Sequence, residues 1–597
     1  MLQGYHSTHN TSSKEPTITQ NQPGYARTPP KLWRMNTEHV ESRSVGALPL
    51  LRQLSRDIGL VEVIDQLVQW DPTRCRLSPG QRIEALVLNI LAGRSPLYRV
   101  AEFYEDTATD LVFGPGIAAE HLTDDCLARA LDKLADARPR AVYSAVALRA
   151  CLLEGIERGF LHYDTTSVSL YGEYPDTHPA DLQIVRGFSK DGHPELKQLV
   201  LGLLCNRQGV PVWADARDGN SEDTKANLDA IDKFCTALSP EQLRDTVYVA
   251  DSKLVCGPNL QRMDALNLRF VSRLPESFAA CTAAKEAALQ GGQWIDLGTL
   301  AGKPRPHSAR YRASEQSGVI DGHTYRLVVL HSDHLDARKR ATFTQTLAKR
   351  REALHKELST LATRRFCCAA DAEQAAGALL LRTERDLFTL SLDVQAVTRQ
   401  LPRDRRGRPR KDEPVREVTE FVVRGEIIEP HAARVQHEQE LRGLFVLITN
   451  LDAQDDFPAR RLLEEYRDQG AVEQRFAFLK DPAFIDGLFL HTPRRIEALS
   501  YVFVMACLLY SVFELRARCH LRDTKKQILL PGKRWSTKPT GKMLLALVNG
   551  LSVAGIGFGS WTLASPPHMT DRAREVANLI GYNLADILYS SQSSPPH

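Results

Sequence analysis

At Gly159 the hydrophobic period of the chain changes, and that change constrains the fold more than any other feature. Before it, from Val45 to about Gly155, apolar residues recur at three- and four-residue spacing, as in "ALPLLRQLSRDIGLVEVIDQLV". That spacing marks helices with one buried face. After it, strand-like runs follow one another at 160–170, 196–204 and 210–216. A helical stretch from about Glu222 to Leu238 comes next, then a strand at 246–252, a short helix near 258–266 and a strand at 268–273. Three strands in succession, then helix, strand, helix, strand, bury their apolar faces together as a mixed sheet covered by helices.

Within the helical region, Ser78-Pro79 supplies a cap and a first-turn proline, and Thr123-Asp124-Asp125 opens a further helix, "CLARALDKLADA". Arg129, Lys133, Arg138 and Arg140 near that helix leave a DNA-binding face and a plain solvated face equally open. From about 276 to 440 the pattern breaks into pieces: short β-like runs at 318–331 and 418–429, a basic helix at about 338–365, and the loop "LPRDRRGRPRKDEP". These pieces read as an insertion. "GLFVLITN" (443–450) returns to core composition, and a long helix from about Phe457 to Lys480 follows. The expected organisation is a disordered leader over 1–44, a helical domain over 45–155, a first core segment over 156–275, the insertion over 276–440, a second core segment over 441–525, and a C-terminal region over 526–597 with a disordered end.

Composition excludes more than it identifies. The net charge of the 597 residues is +3, so any surface for nucleic acid must be local. Eleven cysteines without a C-x-x-C pair suit a reducing cytosol. The uncharged run from Ala498 to Phe513 falls short of the roughly 20 residues of a membrane span and is expected as a buried helix, with no membrane partner.

The candidate site starts from "FLHYDTTSVSL" (160–170). Period-2 alternation puts Phe160, His162, Asp164 and Thr166 on one face. Aspartate is depleted in strands, and its charge is costly to bury without a partner. "TVYVADSKL" repeats the setting, with Val247, Val249 and Asp251 on one face and Asp251 at the strand's end, where ligands gather in open α/β sheets. The plain reading of each aspartate is a helix cap or a surface turn, and for Asp251 alone that reading is as good as the functional one. Two carboxylates on neighbouring strands repel unless a cation separates them, and hard divalent cations take oxygen ligands. In "YRDQGAVEQRFAFLK" (466–480), Tyr466, Glu473 and Lys480 fall seven residues apart, with Gln469 and Phe476 on the same seam of a regular helix. A solvated stripe beside a core stripe is the plainer reading. A metal shared with Asp164 and Asp251 is the sharper one.

Together these residues resemble the DDE transposases of bacterial insertion sequences, and within them the group marked by Y-x2-R-x3-E-x6-K. "GFSKDGHPELKQLVLGL" (187–203), "DGN" (218–220) followed by Asp223, "GLFVLITN", and "KDPAFIDGLFLHTPRRIEAL" match in order. The likeness spans about 159–515, and the helical N-terminal region resembles the leader domain of one subgroup. One position departs: Gln469 stands where the family has arginine, with Arg467 two residues earlier.

The resemblance implies an α/β fold with an RNase H-like mixed sheet flanked by helices, an α/β insertion before the glutamate helix, and an all-helical N-terminal domain. It implies two Mg²⁺ ions, replaceable by Mn²⁺, held by Asp164, Asp251 and Glu473. The implied activity is binding and cleavage of the element's ends and joining of the 3′ ends to target DNA. Tyr466, Gln469 and Lys480 would then meet terminal phosphates, in a homodimer on double-stranded DNA in the bacterial cytoplasm, against the nucleoid. In "RRGRPRK" (405–411), Arg406-Gly407-Arg408-Pro409 matches the core of minor-groove AT-hooks, and a basic loop without groove preference fits equally. Two rivals remain. One is a transposase-derived DNA-binding protein without catalysis. The other is a two-carboxylate glycosidase, which needs aromatic sugar platforms, and Trp213 is the only tryptophan near these strands.

Overall fold

Alternating and β-branched runs pair into one nine-stranded sheet in the computed structural model. It describes residues 40–590 apart from 94, 175–177, 180, 191, 237, 292, 301–307, 385, 402–415, 453–456, 482–489, 491, 558–560 and 564–570. The strand order is Pro211–Asp218, Lys197–Asn206, Phe160–Leu170, Val247–Ala250, Arg269–Arg273, Leu444–Thr449, His323–Ser332, Arg310–Ile320, Ile295–Thr299. The first three are antiparallel, Phe160–Leu170 and Val247–Ala250 are parallel, and so are Val247–Ala250 and Arg269–Arg273. Phe160–Leu170 is therefore interior to the sheet, and Asp164 and Ser169 are its only half-exposed positions.

Period-2 alternation sends successive side chains to opposite faces. Leu161 and Tyr163 pack with Tyr248, Phe270 and the helices Asp223–Cys235 and Gly257–Ala265. Phe160 packs on the other face with Val247, Val249 and the helix Ala459–Arg467. Further along that face, Val168, Leu199 and Leu201 share a core with Val472, Phe476 and Leu479 of the helix Gly470–Leu479 and with the long helix Pro493–Asp523. That long helix is apolar enough to cross a membrane, yet 89% of its most apolar window is buried inside the protein. It is the buried core helix expected from the sequence.

The N-terminal helices are not a separate body. Leu48–Asp57, Leu60–Leu67, Pro79–Leu88, Asp124–Asp136 and Pro139–Leu153 share one continuous core with the long helix. Ser78 caps as expected: its hydroxyl accepts from Gln81 N at 3.1 Å, and Gln81 Oε1 accepts from Ser78 N at 2.9 Å. Arg495 binds Asp132 through two bonds of 2.6 and 2.7 Å, tying helix Asp124–Asp136 to the long helix.

Two boundaries differ from the sequence reading. Val40–Ser44, inside the expected leader, is a strand paired with Ser552–Gly557. The insertion is narrower than 276–440, because Ile295–Thr299, Arg310–Ile320 and His323–Ser332 extend the main sheet. The satellite unit proper runs from the helix Asp333–Thr363 through Ala369–Thr383 to the hairpin Phe388–Gln400 with Glu417–Pro430. Its own core gathers Leu354, Leu358, Phe366, Leu379, Phe388 and Val423. Strand pairing is non-local, and periodicity does not say which sheet a strand joins.

Candidate functional site

The parallel ladder sets Tyr163 opposite Ala250. Asp164 and Asp251 are the next residues on the two strands, and strands in a sheet lie about 4.8 Å apart. The register thus stands the two carboxylates side by side. Asp251 ends its strand and caps the turn Ser252–Leu254, accepting from Lys253 N at 3.1 Å. Thr165 N donates to Asp164 Oδ1 at 2.7 Å.

A third carboxylate and two ammonium groups complete the cluster. Asp223 opens the helix Asp223–Cys235 and accepts from the Thr165 hydroxyl at 2.6 Å. Lys190 Nζ lies 3.4 Å from Asp223 and 4.0 Å from Asp164, and donates to the Thr165 carbonyl at 2.7 Å. Lys253 also pairs with Asp223. Burial pushes Asp164 up to about 6, with Asp251 and Asp223 adding to the rise and Lys190 opposing it. Burial also raises Asp251. On Asp223 burial pulls upward too, but Lys253 and the Thr165 hydroxyl outweigh it and hold the group below its usual range. Two half-buried acids with raised pKa values, side by side and flanked by cations, form a site that a further positive charge would stabilise. Its donors are all carboxylate oxygens, which suit Mg²⁺ or Mn²⁺.

The structure brings some of the sequence candidates together and leaves others apart. Asp164 and Asp251 meet. Tyr466 reaches the same neighbourhood: burial raises its phenol, Arg273 opposes, and Asp251 adds to the rise. Glu473 is exposed on the helix that packs over the Asp164 strand. Among the described residues no three His, Cys, Asp or Glu side chains gather as a metal-binding group.

The single helix expected from Phe457 to Lys480 is instead two, Ala459–Arg467 and Gly470–Leu479, with Asp468 and Gln469 in the turn between them. The stretch from Tyr466 to Glu473 is thus interrupted by this turn, although Asp468 and Gln469 both keep right-handed helical dihedrals. Gly470 weakens the helix there, and Asp468 is drawn to Arg207 at 3.6 Å. Gln469 takes the N-cap position of the second helix, and Lys480 closes it as C-cap. Arg467 turns to the sheet extension, donating to the Tyr311 hydroxyl at 3.0 Å and lying 5.5 Å over its ring. Arg406 and Arg408 lie outside the described residues. Trp213 is 5% exposed, buried in the sheet core, and offers no sugar platform.

Sequence reasoning did not single out Lys190 and Lys253, although "DSK" places Lys253 two residues after Asp251. It also missed the anchor beneath the second helix. Arg475 Nη2 donates to Glu514 Oε2 at 2.6 Å, both side chains being buried, and Arg475 Nε donates to the Gly209 carbonyl at 2.7 Å. Nearby, Arg207 lies 3.2 Å from Glu465, whose buried carboxyl is pushed up to about 7. Burial, with Arg207 adding to it, lowers His162 to about 4, so the imidazole is neutral.

The family model described as a domain of unknown function, DUF4277, matches residues 40–148. That family occurs in transposase-like proteins. The match covers the N-terminal helices and stops before the Asp164 strand. No curated protein is similar enough to the chain to match it.

Proposed function

We propose that this chain is a DDE-type DNA transposase that binds the ends of its insertion sequence, cleaves the DNA there and joins the 3′ ends to target DNA. The observation that carries the proposal is the pair Asp164–Asp251. It stands on adjacent parallel strands, where three antiparallel strands give way to parallel ones. That strand order is compatible with an RNase H-like core.

In this reading Asp164 and Asp251 hold divalent metal, with Glu473 the third ligand, offered by the helix over the same strand. Two such ions supply an activated attacking oxygen and a stabilised leaving oxygen for in-line displacement at phosphorus. Lys190 and Lys253 keep the acidic cluster compact, and their ammonium groups are suited to phosphate oxygens. Tyr466 orients a phosphate beside Asp251, Lys480 and Gln469 hold the strand further along, and Asp223 positions the two lysines. A homodimer presents one such site to each element end.

The test is Mg²⁺- or Mn²⁺-dependent nicking of a duplex carrying the inverted repeats that flank the gene. Wild type is expected to nick. Asp164→Asn and Asp251→Asn are expected to bind that duplex within a few-fold of wild type and not to nick it. Near wild-type nicking by either variant overturns the assignment. End binding by a wild type that never nicks favours the DNA-binding protein without catalysis.

A further inference from the structure

The C-terminal side of the long helix carries a segment that the catalytic reading does not use. Between 524 and 542, "TKKQILLPGKRWSTKPTGK", there is no acidic residue. Its six basic residues, Lys525, Lys526, Lys533, Arg534, Lys538 and Lys542, are all exposed. The segment is ordered: Ile528–Leu530 and Arg534–Ser536 pair as a two-stranded hairpin. Ile528 and Leu530 are buried on its inner face, anchoring it to the core beneath.

The outer face is unusual. Trp535 stands opposite Leu529 in the ladder and is 60% exposed. An exposed tryptophan amid cations leaves a large apolar ring in water, which favours a contact surface. The backbone points the same way. Lys533 follows Pro531-Gly532 in the turn and holds φ 58°, and Lys525 holds φ 53° just after the long helix. Glycine or asparagine takes such positions more easily. Lysines hold both, and each places an ammonium at a bend of the segment.

The arm after the hairpin leads inward. Lys538, Thr540 and Lys542 line a cleft of about 750 Å³, together with Arg207, Arg467 and Arg518. Its far wall is the outer side of helix Gly470–Leu479, where Gln474 adjoins Glu473. The cleft's carboxylates are already engaged: Asp468 with Arg207 at 3.6 Å, Asp481 with Lys542 at 3.0 Å, and Glu514 with Arg475 at 2.6 Å.

We infer that the hairpin Ile528–Ser536 and the arm through Lys538 form a DNA-backbone interface, with Lys533, Arg534 and Lys538 on phosphates and Trp535 as the apolar contact against the duplex. This rests on the reading of the chain as a DNA-processing enzyme and assigns it a second binding surface, apart from the acidic cluster. Charge complementarity selects DNA: an acid-free run of exposed cations is matched by a polyanion of regular spacing, and phosphate contacts dominate such binding.

The test uses the full-length protein and a duplex of arbitrary sequence, titrated by fluorescence anisotropy across a salt series. The triple variant Lys533→Ala, Arg534→Ala, Lys538→Ala is expected to bind at least about tenfold more weakly at low salt. Its log K against log salt slope should be shallower by about 2 to 3, near 0.9 for each phosphate left without its cation. Trp535→Ala is expected to weaken binding roughly fivefold or more with the slope unchanged, since an aromatic contact releases no counterion. Both variants alter exposed residues and are expected to keep the wild-type thermal midpoint. As a control, Lys225→Ala, exposed and paired with Glu222 at 3.4 Å, should change neither quantity. An unchanged slope in the triple variant, or unchanged affinity in both variants, overturns the inference. The two proposals fail separately: hairpin variants that bind and nick like wild type sink only the interface, and a wild type that never nicks while the hairpin variants bind weakly sinks only the catalytic reading.

Discussion

Replacing Asp164 by asparagine should make the metal-free protein more stable at neutral pH while removing its chemistry. Burial lifts Asp164 from 3.8 to about 6, and a tenfold change in proton affinity is worth about 1.4 kcal/mol. The folded state therefore holds this proton more tightly than the unfolded chain between pH 3.8 and about 6. Its contribution to stability falls as pH rises through that window, by about 3 kcal/mol in total, and stays at that level above it. Asparagine carries no charge and escapes the penalty. It keeps an oxygen for Thr165 N, and Lys190 keeps Asp223 at 3.4 Å once the Asp164 carboxylate 4.0 Å away is replaced. The net gain should be about 1 to 3 kcal/mol at pH 7.5 and should vanish near pH 4. Thermal unfolding of both proteins in EDTA at the two pH values measures it, with an expected rise of about 2 °C or more at pH 7.5. Added Mg²⁺ should raise the midpoint of the wild type and leave that of the variant unchanged. A lower midpoint for the variant at pH 7.5, or a difference independent of pH, would refute the reasoning.

Arg475→Met should leave Glu514 buried with only Arg518 beside it, costing about 3 to 5 kcal/mol in thermal stability, and Glu514→Leu added to it should recover much of the loss. Arg467→Ala, which removes a bond to Tyr311, should leave single-turnover cleavage within a few-fold, whereas Gln469→Arg should keep or tighten end binding, read by anisotropy. Deleting residues 1–34 should leave the thermal midpoint unchanged, and deleting residues 1–46 should lower it by removing the strand that pairs with Ser552–Gly557.

The parts of the fold that depend on local pattern were legible in the sequence. Residues 160–170 are rich in aromatic and β-branched side chains, and they form the strand so indicated. Two aspartates in such runs are conspicuous because strands seldom hold them, and the parallel register brings them together. What the sequence did not show depends on partners distant along the chain. Lys190 and Lys253 come from separate loops, and nothing periodic marks an ammonium that will settle on Asp223. Arg475 finds Glu514 across 39 positions of sequence. The turn at Asp468-Gln469 lies beside Arg207, more than 250 positions earlier, and a regular helix was the natural reading of Tyr466 through Lys480. The three strands from Ile295 to Ser332 look like parts of an insertion until the ladder to Leu444–Thr449 shows which sheet they join.

The central claim is that Asp164 and Asp251 bind the metal that cleaves DNA, and ligand softness tests it most directly. Asp251→Cys replaces a hard oxygen donor by a thiolate, which binds Mg²⁺ poorly and accepts softer Mn²⁺ better. Single-turnover nicking of the inverted-repeat duplex should show wild type active with either ion, Asp251→Cys inactive with Mg²⁺, and Asp251→Cys restored in part with Mn²⁺. Nicking by Asp251→Cys with Mg²⁺ at the wild-type rate would show that this carboxylate does not hold the metal and would contradict the account.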